Sequence, residues 1–266
     1  LIIGSEGTLA VVTEVTLKLV PRLPHKATVL APFASMAEIT AAVPQILGRG
    51  MVPLMLEYVD AVAMSATSDS AGLDLGIPDE VKERALAYLT VVLESSDDRR
   101  LDEDVQQAGE LVMELGAIDL YVLPPAAGAA VLDAREKAFW VAKQLGVDDI
   151  IDVVVPRASI PDYMDQVAEL AGRHEAWVAG AGHAGDGNVH FSVFQSDEEK
   201  RHALMTDILA AGMELGGTIS AEHGIGLAKR PYLMELEDPA KVALMRRVKA
   251  AFDPNGILNP GKVFIT

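Results

Sequence analysis

The chain of 266 residues carries 39 acidic and 22 basic side chains, and its formal net charge of −17 argues against nucleic acid or an anionic membrane as a partner. The absence of cysteine excludes disulfides, thiolate metal ligands, iron–sulfur clusters and cysteine nucleophiles. Because no apolar run reaches the roughly 18 residues of a membrane-spanning helix, we expect a cytoplasmic protein without membrane insertion.

The chain opens directly on an apolar run that ends in a glycine-rich turn, over residues 1–9. This opening, with no cap or tail before it, predicts that the chain is the C-terminal part of a longer protein. Apolar and polar side chains then alternate, which predicts a strand over residues 8–20. Pro21 and Pro24 predict a linker after that strand.

The next segments follow the order strand, helix, strand, strand, helix, strand, which is typical of a ferredoxin-like unit. Ser35 is predicted to cap the first of these helices, and Glu57 is the only charge in an otherwise apolar strand. The predicted elements are strand 27–32, helix 36–48, strand 52–58, strand 88–94, helix 99–115 and strand 118–123.

The second half predicts a partial repeat of this pattern, with helix 128–144, strand 150–155, a third helix and a hairpin. Ser159 and Pro161 are predicted to begin that third helix, and Ser196 to cap a helix from about residue 197. Asp238 precedes a closing helix. The whole pattern predicts an α+β fold, a ferredoxin-like antiparallel sheet with flanking helices on one side.

The predicted hairpin contains the glycine-rich segment Gly180–His190. Its turn residues, Asp-Gly-Asn at 186–188, predict that His183 and His190 flank the loop and face each other across the ladder. Opposed side chains lie about 5 Å apart at Cβ, which is close enough for two imidazoles to share one ion.

A second glycine-rich segment, Ser220–Gly226, offers Glu222 as a third ligand and His223 as a base. Two histidines and one carboxylate suit zinc in a catalytic site, or Fe(II) or Mn(II). A structural or solvated role is the alternative for each histidine taken alone.

Several segments resemble a known family. Gly4–Lys18 is similar to the last segment of the FAD-binding domain of the FAD-linked oxidases related to vanillyl-alcohol oxidase. Gly182–His190, Gly217–Gly226 and Asp253–Lys262 resemble the C-terminal domain of the D-lactate dehydrogenase and glycolate oxidase subunit branch. The resemblance implies that residues 1–22 are a remnant of the FAD-binding domain. Residues 23–266 would be the C-terminal substrate and metal domain, closed by a helix and tail over 238–266.

The resemblance further implies an enzyme that oxidises a D-2-hydroxy acid to the 2-oxo acid and passes hydride to FAD. His183, His190 and Glu222 would hold a divalent metal, most commonly zinc, with manganese or iron as alternatives. That metal would bind the hydroxyl and carboxylate oxygens of the substrate, and His223 would take the hydroxyl proton.

Two arginines are candidates to clamp the substrate carboxylate. Arg135 matches an arginine that contacts substrate in the 2-hydroxyglutarate dehydrogenases, and Arg157 matches a Pro-Arg segment of the glycolate oxidase subunits. Phe139, Ile150 and Ser192 depart from the hydroxyglutarate pattern, which has threonine, lysine and asparagine there. The sequence therefore favours a monocarboxylic substrate such as lactate or glycolate.

Few residues of this chain are expected to contact FAD, since the family's dinucleotide-binding loops would precede Leu1. The chain alone is accordingly predicted to be inactive. The expected partners are the small hydroxy acid and an electron acceptor that the sequence does not identify, and a homodimer is compatible with the sequence. Two other functions remain open, a stand-alone metal-dependent hydrolase that uses the same histidines and a non-catalytic assembly domain. The residues predicted to contact FAD are Gly4, Ser5, Glu6, Gly7, Thr8 and Asn259.

Overall fold

A seven-stranded sheet, in which every neighbouring pair is antiparallel, forms the centre of the molecule. The computed structural model describes residues 1–264, so the last two residues of the predicted closing segment lie outside the described part. The order across the sheet is β4-β1-β3-β2-β6-β7-β5. The strands are β1 (His25–Phe33), β2 (Met55–Asp60), β3 (Ala87–Ser95), β4 (Tyr121–Leu123), β5 (Asp149–Val154), β6 (Trp177–His183) and β7 (Asn188–Phe194).

Ten α-helices connect and cover these strands within residues 1–264. A 3₁₀ turn, Arg157–Ser159, precedes the seventh helix. The helices are α1 (Met36–Gly48), α2 (Ala61–Ala71), α3 (Asp79–Lys82), α4 (Asp98–Glu114), α5 (Pro125–Glu136), α6 (Ala138–Gln144), α7 (Ile160–Arg173), α8 (Glu198–Glu214), α9 (Arg230–Leu236) and α10 (Pro239–Phe252). None of the described helices combines the length and the apolar character needed to cross a membrane.

The two halves of the sheet repeat one arrangement of elements. From the edge to the centre, the first half has the order β4-β1-β3-β2. The second half has β5-β7-β6, so its first, third and second strands follow one another as β1, β3 and β2 do. The segment at Thr218 corresponds to β4: it forms an antiparallel bridge with Val154 of β5, as β4 pairs with β1 in the first half. The halves join through β2 and β6, where Tyr58 pairs with Gly182. The predicted antiparallel, ferredoxin-like sheet with flanking helices is confirmed, and so is the partial repeat.

The expected placement of all helices on one side is wrong, because apolar clusters form on both faces of the sheet. Along β1, Val29 and Phe33 contribute to the larger cluster, which is shared with α1, α4, α7 and α8. Leu30 points to the opposite face and packs in a second cluster with Met64 of α2 and Val131 of α5. The near-continuous burial along β1 and β3 is typical of strands that are covered on both faces.

Two predicted helix starts are confirmed by their caps. The Ser35 hydroxyl accepts a hydrogen bond from the Glu38 N–H, and the Asp238 carboxylate accepts one from the Ala240 N–H. Both helices therefore begin where a short polar side chain satisfies an otherwise unpaired N–H group of the first turn.

Other local predictions are wrong. Asp197, not Ser196, caps α8, because its carboxylate reaches two N–H groups of the first turn. Ser159 lies in the 3₁₀ turn with near-helical backbone angles and makes no capping bond. The helix predicted over 128–144 begins at Pro125 and divides into α5 and α6 at Lys137, whose φ is −93° and ψ −5°.

The strand predicted over residues 8–20 is also wrong. This segment has no regular secondary structure, and its apolar side chains, including Val15 and Leu19, are exposed. A strand needs a neighbour for its N–H and C=O groups, and no strand in the described part of the chain pairs with this segment.

Candidate active site

His183 and His190, the two histidines of the predicted hairpin, lie on the sheet face that α2, α5 and α6 partly cover. His183 ends β6 and pairs with Asn188, whereas His190 in β7 pairs with Ala181. The prediction that they directly oppose each other is wrong, because the partner of each histidine lies two positions along the strand from the other histidine. They are instead diagonal neighbours on one face of the sheet. Their ring centroids are 5.1 Å apart, so the two imidazoles remain in reach of a single ion.

Glu222 joins the two histidines from the second glycine-rich loop. Its Oε1 lies 3.4 Å from Nε2 of His183 and 3.2 Å from Nε2 of His190. One ligand atom from each of the three residues lies within 4.8 Å of the other two. The structure thus brings together the three residues that the sequence suggested as metal ligands.

Each histidine also faces a buried carboxylate with its other ring nitrogen. Nδ1 of His183 lies 2.6 Å from Glu57 Oε1, and Nδ1 of His190 lies 3.9 Å from Asp152 Oδ1. Metal-binding histidines commonly hold the second ring nitrogen against a carboxylate or carbonyl, which directs the first nitrogen to the ion. The three donor atoms suit a divalent ion, and Glu57 orients His183 in this way. The distance from His190 to Asp152 is too long for a hydrogen bond, and Arg135 Nη2, which lies 3.2 Å from Nε2 of His183, would have to move aside for the ion.

The protonation of the two imidazoles differs. Burial lowers the pKa of His190 to about 4, so this ring is neutral near pH 7. The hydrogen bond to Glu57 raises the pKa of His183, an effect that burial only partly opposes. At neutral pH a metal ion would compete with a proton mainly at His183.

Asp152 of β5 holds the loop that carries Glu222. Its fully buried carboxylate accepts hydrogen bonds from the N–H groups of residues 221–223, at 2.8–3.4 Å, and from the Ser220 hydroxyl at 3.0 Å. Lys229 Nζ lies 3.4 Å away. Burial by itself raises the pKa of Asp152, but the His223 N–H group and the Lys229 ammonium outweigh it, and the net pKa is lowered. Asp152 also lies near His190 and His223 in a second group of donors, yet its oxygens already serve the loop.

Sequence reasoning missed Asp152 and gave Glu57 no role. Glu57 interrupts an apolar run over residues 52–58, Asp152 interrupts another over residues 150–155, and both carboxylates are buried. That pattern is a usable signal, because a buried carboxylate requires partners that stabilise its charge.

His223 lies beside the three candidate ligands. Its Nε2 is 3.8 Å from Glu222 Oε1, and its ring centroid is 4.9 Å from that of His190. The ring is about half exposed and lines the same cavity. His223 is therefore placed to exchange a proton with a molecule bound at the cluster.

The structure separates the two candidate arginines. Arg135 of α5 bonds Glu57 through Nε, and its Nη2 lies 2.9 Å from His183 Nδ1. Arg157 instead donates to the carbonyl of Gly185 at 3.2 Å, and it braces the hairpin loop outside the residues that line the cavity. Only Arg135 lies at the histidine cluster.

The glycine-rich segment at residues 4–8 is attached to the second loop. The Glu6 carboxylate accepts hydrogen bonds from the N–H groups of Ile225 and Gly226, each at 2.7 Å. The Asn259 amide donates to the Glu6 carbonyl at 2.5 Å. These two side chains are committed to protein contacts, whereas the left-handed backbone at Gly4 is open to a ligand.

Thr8 and its neighbours complete that segment. The buried Thr8 hydroxyl donates to the Ser5 carbonyl at 2.7 Å. Gly7 lies beside Asn259, whose amide nitrogen would be 3.8 Å from a Cβ at that position. Of the residues predicted to contact FAD, the segment can thus offer mainly its backbone, which is the part of a glycine-rich turn that usually contacts phosphate or flavin groups.

Fold and site together define an α+β domain with a polar cluster of histidines and carboxylates on one face of its sheet. Residues 22–263 match the family described as FAD linked oxidases, C-terminal domain, and the chain belongs to this family.

Proteins of several organisms are similar to the chain. An uncharacterized FAD-linked oxidoreductase of Mycobacterium tuberculosis is 56% identical, with 99% of this chain and 58% of the relative covered. A D-lactate dehydrogenase of Anaerostipes hadrus is 35% identical, with 99% of this chain and 57% of the relative covered. The chain thus spans less than two thirds of the length of these relatives.

A solved structure shares the fold. The 4-ethylphenol oxidase of Gulosibacter chungangensis, in complex with isoeugenol, aligns over 94% of this chain and 55% of its own, with a TM-score of 0.67 and 16% identity. At that identity the likeness supports the antiparallel architecture alone.

Proposed function

We propose that this chain is the substrate-binding and catalytic half of an FAD-dependent dehydrogenase that oxidises a D-2-hydroxy acid, of the lactate or glycolate kind, to the 2-oxo acid. Membership of the FAD-linked oxidase family and the 35% identity to a D-lactate dehydrogenase support the oxidoreductase class. Residues 1–22 would complete an FAD-binding domain that precedes them, and residues 23–266 would form the substrate domain.

One observation carries the proposal. Donor atoms of His183, His190 and Glu222 lie within 4.8 Å of one another, and these residues, His223 and Arg135 line one cavity. A divalent ion held there, zinc by preference or else manganese or iron, would supply a Lewis acid that acidifies a bound hydroxyl group. Bound FAD would accept the hydride from C2.

The side chains of this chain supply the remaining roles. Arg135 offers a cation at the cluster for the substrate carboxylate, although Glu57 already balances part of its charge. His223 accepts the proton of the hydroxyl group, and its half-exposed ring can pass that proton on to water. Proton and hydride leave adjacent atoms, so this base and the hydride acceptor must lie on different sides of the substrate.

The first experiment is elemental analysis of the purified chain beside two variants. We expect about one zinc, manganese or iron per chain, lost in His183→Ala and retained in His25→Ala, which removes a partly exposed histidine on β1. Metal content that is equal in all three chains, or absent after metal is added back, would contradict the metal site.

The second experiment measures dye reduction by D-lactate and glycolate in the protein with its flavin domain. We expect activity that requires FAD and falls sharply in His223→Ala. Metal binding without any flavin-dependent oxidation of hydroxy acids would instead favour a hydrolase that uses the same ligands.

A further inference from the structure

The cavity above the histidine cluster continues along the sheet into an apolar groove. His183 and His190 lie at the loop end of the β6–β7 hairpin, whereas Trp177 and Phe194 pack together at its other end, with ring centroids 4.5 Å apart. Trp177 and His183 are six positions apart along β6, a distance of about 20 Å. All of these residues line one cavity.

Small side chains keep the middle of this groove open. Ala179 and Ala181 of β6 lie between the histidine end and the aromatic end, and Ser192 pairs with Ala179 on β7. Each faces the cavity where a larger side chain would fill it. The sheet thus forms a shallow channel that leads away from the polar cluster.

Apolar side chains of neighbouring elements form the walls of the channel. The cavity has a volume of about 370 Å³, which lies at the lower end of the roughly 300–1,000 Å³ that encloses drug-sized ligands. It is more space than a three-carbon acid needs, so lactate would leave most of the apolar wall in contact with water. The wall residues include Met55, Val59, Val62, Met64, Val131 and Phe139.

Charge is confined to one end of the cavity. Among the described residues that line it, Arg135 is the only lysine or arginine, and it lies against His183. Glu136 is exposed to solvent, and the other charged residues belong to the cluster itself. A second carboxylate at the aromatic end would therefore find no lysine or arginine to pair with among the described lining residues.

We infer that the preferred substrate is a 2-hydroxy monocarboxylic acid with an extended apolar side chain, aliphatic or aromatic, which lies along Ala181 and Ala179 toward Trp177. This inference rests on the proposed function and names its substrate class. The carboxylate and hydroxyl groups occupy the cluster, and the tail removes the apolar walls from water.

The test is equilibrium binding of D-lactate, D-2-hydroxybutanoate and D-2-hydroxyhexanoate to the chain with Zn²⁺ added. The chain has two tryptophans, and the exposed Trp140 is replaced by phenylalanine so that the fluorescence reports Trp177 alone. We expect the affinity to rise about fourfold for each methylene that enters the groove. Quenching or a spectral shift of Trp177 should accompany the longer acids.

Two variants test whether the apolar tail of the substrate lies in the groove. Ala66→Leu adds volume from α2 into the cavity and should abolish the gain for the longer acids without weakening lactate binding. Val62→Thr, at a half-exposed wall position, should reduce the gain without filling the cavity. The matched control is Ala129→Leu, an exposed position on α5 outside the lining, which should leave the whole series unchanged.

The outcomes separate this inference from the proposed function. Equal affinity for lactate and D-2-hydroxyhexanoate would overturn the inference and leave the proposed function intact. Hexanoate that binds as tightly as D-2-hydroxyhexanoate would overturn both, because the cluster would then make no use of the hydroxyl group. Failure of every acid to bind would likewise overturn both.

Discussion

Replacing Asp152 by asparagine should destabilise the protein and release the loop that carries Glu222 and His223. The carboxylate is fully buried, and it accepts bonds from three backbone N–H groups, from Ser220 and from Lys229. An amide keeps the shape but removes the charge, so the buried Lys229 ammonium loses its partner. Breaking a buried pair in this way costs about 3–5 kcal/mol. We expect the free energy of unfolding to fall by that amount.

Urea unfolding at pH 7 measures the global effect, and hydrogen exchange at the amides of residues 221–223 measures the local one. The matched control is Asp165→Asn at an exposed position on α7, which should change stability by no more than about 0.5 kcal/mol. Adding Lys229→Met to Asp152→Asn should recover part of the loss, because no stranded charge then remains. Wild-type stability together with unchanged exchange at residues 221–223 would refute this account of Asp152.

Three further predictions concern other contacts. Glu57→Gln should weaken metal binding about 10–100-fold in a chelator competition, because His183 loses the carboxylate that orients it. An unchanged metal affinity would mean that Glu57 serves only as the ion-pair partner of Arg135. Glu6→Gln should speed hydrogen exchange at the amides of residues 225 and 226 about tenfold, because a neutral amide accepts weaker hydrogen bonds than the Glu6 carboxylate. Equal exchange rates in the two proteins would show that Glu6 does not hold this loop. The hydrogen bond from Lys249 lowers the pKa of Asp253 to about 2, so its stabilisation of the tail should persist above the ordinary pKa of 3.8 and disappear as the pH falls toward 2. Carboxyl titration by NMR tests this, and Lys249→Met should raise the pKa; a titration near 3.8 in the wild type would contradict it.

Much of the local structure follows from the sequence. Ser35 and Asp238 mark helix starts because capping depends on a few consecutive residues. The predicted strands of the first unit appear, with shifted ends, because apolar periodicity reports the burial of each segment. The order of elements was sufficient to predict a ferredoxin-like sheet. Three histidines and a glutamate in two glycine-rich segments indicated the cluster that the structure assembles.

Burial on both faces was not predictable in the same way. A continuous apolar run such as β3 is consistent with several environments, and the packing of α2 and α5 decides which one applies. The segment at 8–20 shows the opposite case, since its alternating pattern lacks a neighbouring strand and stays irregular. Local propensity proposes an element, and tertiary contacts determine whether it forms.

By itself, the sequence determined the two glycine-rich segments that hold His183, His190, Glu222 and His223. Only the tertiary structure decided that Glu57 meets His183 across the β2–β6 junction, that Asp152 gathers the second loop, and that Arg135 and not Arg157 reaches the cluster. The physical reason is separation along the chain. Strand order and register bring together charges that are as many as 126 residues apart, and no local pattern encodes those pairings.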